Sequence, residues 1–339
     1  MELVDCFMFN DEVEVLRFRI RYYRNLVTKF IVAESTFTFS GKPKLALAKQ
    51  IFTDMGVPPD QYSIVHYKPS RELILNSIND RWPIERFARQ SLQVEIAKLN
   101  PTTRVMLSDV DEIASLEQIK FGLNFDEVVS LATPLCHRKA NWISIQGKNW
   151  RTFKIGPARF FKDLNELRYR KTILVKKNQG AHFSYLTESS DDLVIKSQNS
   201  AHKEHEIDSK SARSLLEFCD AYHVDHLGRF DRKGFGLLRV VKEEKLNKVQ
   251  KEFLEFSPEY FDFRPPEANL LRRVAASRSV TKGWIDGIGS WNPEAKIIRT
   301  IFPATMSLLD RTEMKLRRLS SRPKMLIKRV KSALSNIIS

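Results

Sequence analysis

Short apolar runs alternate with helical periodicity through the first part of the chain. Four runs have the length of buried strands and lie at 4–9, 30–33, 64–65 and 104–108. Between them, apolar residues recur at helical spacing, first over 13–27 and again over 84–99. Strands that alternate with helices in this way predict an α/β fold with a mostly parallel central sheet flanked by helices. Ligand chemistry is then expected at the carboxyl ends of the strands.

The pattern changes after residue 131. Aromatic and basic residues are interleaved from 138 to 161, as expected either for strands and loops that flank a polar ligand or for buried aromatics with solvated neighbours. From 187 to 214 the sequence is polar and largely without periodicity, which predicts a mobile connection or an active-site lid. No fixed-period repeat or clear linker occurs, so a second independent domain is not required.

Positive charge is concentrated at the carboxyl end. The chain of 339 residues has a net charge of +15, but residues 314–339 hold eight Lys/Arg and no Asp/Glu, which leaves +7 for the rest. After Pro323, apolar residues at helical spacing alternate with basic ones, which predicts a basic amphipathic helix over 323–339. Such a helix suits an anionic membrane surface, and it would equally suit packing on the body of the protein or on a partner.

Cysteine use and hydropathy indicate the compartment. The three cysteines, Cys6, Cys136 and Cys219, are odd in number and far apart, which favours a reducing environment over a disulfide scaffold. The first apolar run is too short for a signal sequence, and no stretch approaches the roughly 20 apolar residues that span a bilayer. We therefore expect a cytoplasmic protein, with peripheral attachment to the inner face of a membrane as an option.

An acidic quartet, Asp109–Glu112, directly follows the fourth predicted strand. Paired carboxylates at a strand end commonly hold a divalent metal against a phosphate, although a solvated turn or a helix cap would use the same residues. Side chains at 109 and 111 share one side of an extended segment, which leaves Val110 to face the core. The spacing does not determine which carboxylate contacts the ion.

A zinc site is a second candidate, because four of the seven histidines fall within 25 residues. Imidazole and thiolate suit zinc, but the spacing matches no standard finger or zincin pattern, and polar surface is the ordinary alternative. The candidate ligands are His202, His205, Cys219, His223 and His226.

Blocks of sequence, taken in order, resemble glycosyltransferase family 17, which includes the β-1,4-mannosyl-glycoprotein β-1,4-N-acetylglucosaminyltransferase that adds bisecting GlcNAc. Each block is weak alone, but their order makes the resemblance specific. The blocks are DCFMFNDE at 5–12, FIVAES at 30–35 with TFSGKP at 38–43, residues 82–90, LSDVDEI at 107–113, GAHFSY at 180–185, and KS at 196–197 with AHKE at 201–204.

The resemblance implies a GT-A-like, inverting nucleotide-sugar transferase that uses Mn²⁺ or Mg²⁺. Asp109 and Asp111 match the family's Asp-x-Asp element, expected to hold the metal against the donor diphosphate. The donor-binding residues that it implies are Asp109, Asp111, Arg89, Glu85, Trp82, His182 and Ser184. A structural salt bridge is the alternative for Glu85 and Arg89. The resemblance also implies a catalytic domain at 1–245. An extension packed on this domain is predicted at 246–313, and the basic tail follows at 314–339.

Three positions depart from the family pattern: Ile84, Ala88 and Ala181 replace polar or aromatic residues. Loss of the polar or aromatic side chains at these positions is expected to change the donor, the acceptor or the activity itself. Inversion also needs a base that deprotonates the acceptor hydroxyl. The sequence does not single one out among Glu34, Glu112, Asp191, Asp192 and Glu204.

The function predicted from these features is transfer of a sugar, with GlcNAc as one candidate, from a UDP-sugar donor to a glycan acceptor. A metal-dependent nucleic-acid enzyme or binding protein is an alternative, because basic surface and clustered carboxylates also suit phosphodiesters. Nucleic acid is not expected as a partner, since half of the excess charge is terminal and no recognised module occurs. A third hypothesis is a non-catalytic carbohydrate-binding relative.

Overall fold

The computed structural model describes residues 2–145, 149–176, 179–203, 206–227 and 236–267, together with residues 273, 276 and 280. The predicted basic tail at 314–339 lies outside the described residues, as do Glu204, His205 and residues 281–313 of the predicted extension. The division into a catalytic domain and an extension stays a prediction.

The described residues form thirteen strands and nine α-helices. The strands are β1 (Leu3–Met8), β2 (Lys29–Glu34), β3 (Tyr62–His66), β4 (Arg104–Asp109), β5 (Glu112–Ile113), β6 (Val129–Leu131), β7 (Thr133–His137), β8 (Trp142–Ser144), β9 (Asn149–Trp150), β10 (Lys154–Pro157), β11 (Leu174–Val175), β12 (Ala181–Ser184) and β13 (Leu238–Val240). The helices are α1 (Val13–Tyr23), α2 (Ala48–Asp54), α3 (Arg71–Asn76), α4 (Trp82–Ile96), α5 (Leu116–Gly122), α6 (Leu164–Tyr169), α7 (Ser190–Asn199), α8 (Ser209–Tyr222) and α9 (Lys248–Phe256).

The larger sheet has seven strands in the order β11-β6-β10-β4-β1-β2-β3. Strand β1 runs parallel to β2 and β4, and Met8 is in register with Asp109, so the carboxyl ends of these strands meet at one edge. Strand β10 runs antiparallel to both β4 and β6. The predicted α/β class is confirmed, but the sheet is mixed.

A second sheet follows the order β13-β8-β7-β12-β5, with β9 paired to β7. It combines antiparallel pairs with the parallel pair β7–β12, and His182 is in register with Glu112. The prediction of one central sheet missed it. Several of its strands are two or three residues long, too short to show a period of two, and their pairing joins distant parts of the chain.

Strand β1 shows how the sequence builds the layers. All six of its residues are buried, as a strand covered on both faces requires. Because successive side chains point to opposite faces, Phe7 packs in the cluster that contains Leu16 of α1, whereas Cys6 packs in the cluster that contains Ile84 of α4. The sheet is therefore enclosed by helices on both faces, and its open edge is the carboxyl one.

The segment 187–214 is not the irregular connection that its polarity predicted. Helix α7 begins with a capping box between Ser189 and Asp192, and α8 begins at Ser209. Leu193 and Val194 are buried against residues of α8, so a few apolar side chains suffice to fix a mostly polar helix. The prediction of irregular structure here is wrong, because packing on a neighbouring helix outweighs a weak periodic signal.

Among the described residues, no helix is both long enough and apolar enough to cross a bilayer.

Candidate active site

A pocket opens at the carboxyl edge where β1 and β4 end. The loop after β1 and the turn after β4 form one side of it, and residues of α4, α6, α7, β9 and β12 complete the wall. This is the position at which an open α/β sheet exposes side chains to a ligand. The polar and aromatic lining residues are Asn10, Asp11, Glu12, Phe39, Trp82, Glu85, Asp109, Asp111, Trp150, Arg168, His182, Ser184, Tyr185, Lys196, Ser200 and His202.

Arg19 of α1, which is completely buried, stabilises the acidic turn Asp109–Glu112. Its guanidinium pairs with Asp5 of β1, with 2.6 Å between Nη2 and Oδ1. The Nη1 group donates to the backbone carbonyls of Asp109, Val110 and Glu112 at 3.0, 3.2 and 2.9 Å. Three carbonyls of the turn thus converge on one cation, which fixes the direction of the carboxylates that follow β4. The sequence predictions missed Arg19.

Asp109 forms a bidentate ion pair with Arg168 at the end of α6. The two Nη–Oδ distances are 2.8 and 2.7 Å. Burial disfavours the ionised carboxyl, but the guanidinium outweighs burial and lowers the pKa of Asp109 below its usual range. Both carboxylate oxygens accept from Arg168 in this structure, so a metal bound by Asp109 would share these oxygens with the guanidinium.

Asp111 and His182 meet on the pocket wall. The Oδ1 of Asp111 lies 3.4 Å from Nε2 of His182. Burial lowers the pKa of His182, but the Asp111 carboxylate more than compensates, and the net shift is upward. Trp150 packs on the imidazole with 5.0 Å between ring centroids. Within the described part of the chain, His182 Nδ1 and Trp150 Nε1 are buried without a hydrogen-bond partner, so the wall carries polar atoms that a ligand could satisfy.

Glu112 lies behind this wall, on β5. It is completely buried, and its Oε1 accepts a hydrogen bond from Thr152. Burial, with the negative charge of Asp109 in second place, raises the pKa of Glu112 to about 7. A carboxyl with that pKa suits proton transfer near neutrality, but Glu112 does not line the pocket.

The opposite side of the pocket pairs acids with a lysine. Lys196 of α7 donates from Nζ to Glu12 Oε1 at 3.0 Å. Asn199 donates from Nδ2 to Asp11 Oδ2 at 3.3 Å. Burial and then the charge of Glu12 raise the pKa of Asp11 to about 6. Asp11, Glu12 and Lys196 fall in blocks that resemble family 17, but no role was predicted for them, because their proximity depends on the packing of α7.

Of the three donor-binding residues predicted on α4, two line the pocket and one does not. Trp82 and Glu85 line the pocket, and Trp82 packs edge to face on His202 at 4.8 Å. Arg89 is not part of the lining: it is buried, pairs with Glu85 and donates to Asn165 at 2.9 Å. The salt-bridge alternative therefore describes Arg89 better than direct contact with a diphosphate. The predicted donor-binding residues His182 and Ser184, on β12, both line the pocket.

Like Glu112, the base candidates Glu34, Asp191 and Asp192 do not line the pocket. Glu34 is completely buried at the start of α2, where it accepts from the backbone N–H groups of Leu47 and Ala48 at 2.7 and 3.1 Å. Asp191 is exposed in the first turn of α7, beside the capping residue Asp192. The carboxylates of Glu34, Asp191 and Asp192 all lie at the start of a helix, where a negative charge is favourable. Their positions are therefore explained without a catalytic role.

The positions that depart from the family pattern are also structural. Ile84, Ala88 and Ala181 are completely buried in the apolar core and do not line the pocket. None of these three side chains contributes to the pocket wall of this chain.

The sequence model of glycosyltransferase family 17 matches residues 1–222 of the 339. The chain belongs to glycosyltransferase family 17. The match ends with α8 and so includes every residue of the pocket described above except Leu227. Among solved structures, this family 17 chain is similar to HddC from Yersinia pseudotuberculosis, with 9% identity and a TM-score of 0.31 over 55% of this chain and 90% of that one. No curated protein sequence matches it.

Membership of family 17 makes the chain a glycosyltransferase and implies, in general terms, a nucleotide-sugar donor and a glycan acceptor. Hard cations such as Mn²⁺ and Mg²⁺ prefer oxygen ligands. Asp111 of the family 17 chain fits that requirement, because its carboxylate lines the pocket and its contact with His182 is long. Asp109 would share its oxygens between the cation and Arg168.

The four described residues of the zinc hypothesis do not assemble in this family 17 structure. His202 lines the pocket, Cys219 is buried in the core, and His223 stacks on Trp142 with 4.2 Å between centroids. His226 lies in another cluster, whereas His205 is outside the described residues.

Proposed function

We propose that this family 17 protein transfers a sugar, with UDP-GlcNAc as the first donor to test, to a hydroxyl of a glycan acceptor, with inversion on a GT-A-like fold. The observation that carries the proposal is the pocket at the ends of β1 and β4, which Asp111, Arg168 and Lys196 all line. Carboxylate and cationic groups at one strand edge suit a diphosphate that binds with a divalent cation.

The donor diphosphate is placed against Arg168 and Lys196. The Arg168 guanidinium has five N–H donors, of which Asp109 takes two, so others remain for phosphate oxygens. A divalent cation held by Asp111 would offset the charge that grows on the departing nucleoside diphosphate. In this arrangement Asp109 orients Arg168, and any contact of Asp109 with the cation uses the carboxylate lone pairs that Arg168 leaves free.

Asp11 is the base that we propose for the acceptor hydroxyl. It lines the pocket, and a pKa of about 6 leaves it ionised at neutral pH yet able to accept a proton. The acceptor oxygen forms its bond to the anomeric carbon while the bond to the diphosphate breaks, and the hydroxyl proton passes to Asp11. A single displacement of this kind inverts the anomeric centre.

The direct test is turnover of UDP-GlcNAc and other nucleotide sugars, measured as nucleotide release with glycan acceptors, in Mn²⁺, in Mg²⁺ and in chelator. We expect metal-dependent turnover that Asp111→Asn lowers by about 100-fold or more, since it removes a ligand of the charge-stabilising cation. Asp60→Asn, at an exposed turn, is the matched control and should retain full activity.

Equal activity of Asp111→Asn and the native protein would contradict the metal role. Binding of a nucleotide sugar without any turnover by the folded native protein would instead favour a non-catalytic carbohydrate-binding relative.

A further inference from the structure

A second polar cluster is buried beside the pocket. His137 ends β7, and Asp225 and His226 follow α8, so the cluster joins the second sheet to a helix end. All three side chains are buried. None lines the pocket, but the ring of Tyr185, which does, lies 5.8 Å from that of His137 and 5.3 Å from that of His226.

The three potential ligand atoms converge. His137 Nε2 lies 2.8 Å from Asp225 Oδ1 and 3.1 Å from His226 Nδ1, and all three atoms lie within 4.8 Å of one another. A single N–H on His137 Nε2 cannot point at both neighbours with good geometry. Ligand atoms about 2.0–2.1 Å from a tetrahedral zinc lie roughly 3.3 Å apart, and the two separations from His137 Nε2, 2.8 and 3.1 Å, are slightly shorter than that.

We propose that His137, Asp225 and His226 bind Zn²⁺. Two imidazoles and one carboxylate are a donor set that zinc favours, whereas Mg²⁺ and Mn²⁺ prefer an all-oxygen set. Three protein ligands leave a fourth position for water or for another donor. The site is therefore chemically distinct from the cation proposed at Asp111.

Zinc at this position would stabilise the wall of the pocket. Asp225 Oδ1 also accepts from the backbone N–H of Leu227 at 2.9 Å, and Leu227 lines the pocket. A metal that ties His137 to Asp225 and His226 would hold β7 and the end of α8 together next to Tyr185. Its role is thus structural support of the pocket.

The test uses the full-length protein after chelator treatment. Zn²⁺ should bind with a stoichiometry of one per chain and raise the Tm by roughly 5 °C or more, because a ligand of the native state stabilises it by mass action. Co²⁺ should give the visible absorption of a tetrahedral nitrogen and oxygen site. Absence of both the Tm rise and the Co²⁺ spectrum in the native protein would overturn the proposal.

Variants locate the site. His226→Gln and Asp225→Asn should lose stoichiometric binding and the Tm response, whereas His66→Gln, an exposed histidine of β3, should keep both. Asp111→Asn should also keep both, which separates this site from the cation of the pocket. Retention of zinc by His226→Gln and Asp225→Asn would contradict the assignment, and if either variant fails to fold, the native Co²⁺ spectrum decides.

Discussion

At the scale of single residues, Arg19 does the most to position the candidate site. Helix α1 carries Arg17, Arg19 and Arg21, and only Arg19 lies on the apolar face, three residues after Leu16 and four before Tyr23. Arg17 makes a half-exposed pair with Glu14, whereas Arg19 is enclosed with Asp5 under the acidic turn. The location of the acidic quartet after β4 could be predicted from its sequence, but its support could not, because the contacts of Arg19 span about 90 residues.

We predict that Arg19→Met lowers the free energy of unfolding by about 3–5 kcal/mol, because it leaves Asp5 as an unpaired buried charge. Urea denaturation followed by circular dichroism measures this difference. Arg17→Met is the matched control, and loss of its surface pair should cost less than about 1 kcal/mol. Equal effects of the two substitutions would contradict the role given to Arg19.

The role proposed for Asp11 predicts how kcat/KM depends on pH. As a base it must be ionised, so kcat/KM of the native protein should fall about tenfold per pH unit as the pH drops below about 6, where Asp11 takes up its proton. Asp11→Asn should lower kcat/KM by about 100-fold or more at neutral pH and abolish this acidic limb. The measurement is the pH profile of donor turnover, with Asp60→Asn as control. An unchanged acidic limb in Asp11→Asn would exclude it as the base.

At the scale of elements, long and strongly patterned segments were the predictable ones. Strands β1, β2 and β4 and helices α1 and α4 follow the sequence periodicity closely, because continuous apolar runs and a full helical face are needed to cover a central sheet. Helix α7 and the short strands of the second sheet were missed. Their stability comes from partners that are distant in sequence, as when β12 pairs with β5 and β7.

The start of α2 provides a test at this scale. We predict that Glu34→Ala lowers the free energy of unfolding by about 1–3 kcal/mol, since the N–H groups of Leu47 and Ala48 lose a buried charged acceptor. Its kcat/KM, measured well below the Tm, should stay within about threefold of the native value. Glu72→Ala, exposed in the first turn of α3, is the control and should leave both quantities nearly unchanged.

Loss of turnover by Glu34→Ala without loss of stability would restore Glu34 as a catalytic candidate.

At the scale of the whole molecule, the pocket collects residues from distant blocks of sequence. Of the predicted donor-binding residues, Trp82, Glu85, Asp109, Asp111, His182 and Ser184 line it and Arg89 does not. Their convergence could be anticipated from the resemblance to family 17 but not from their spacing along the sequence. Arg168 lies outside every resembling block, and only the folded chain brings it to Asp109.

The central claim is that this pocket binds the diphosphate of a nucleotide-sugar donor with the help of a divalent cation. Its most direct test is a thermal-shift series with UDP, GDP, CMP and an oligonucleotide, with and without Mn²⁺, on the native protein, Asp111→Asn and Arg168→Met. We predict that UDP raises the Tm by roughly 5 °C at saturation in Mn²⁺, and much less in its absence or in either variant. Stabilisation by the oligonucleotide with no response to any nucleotide would contradict the account.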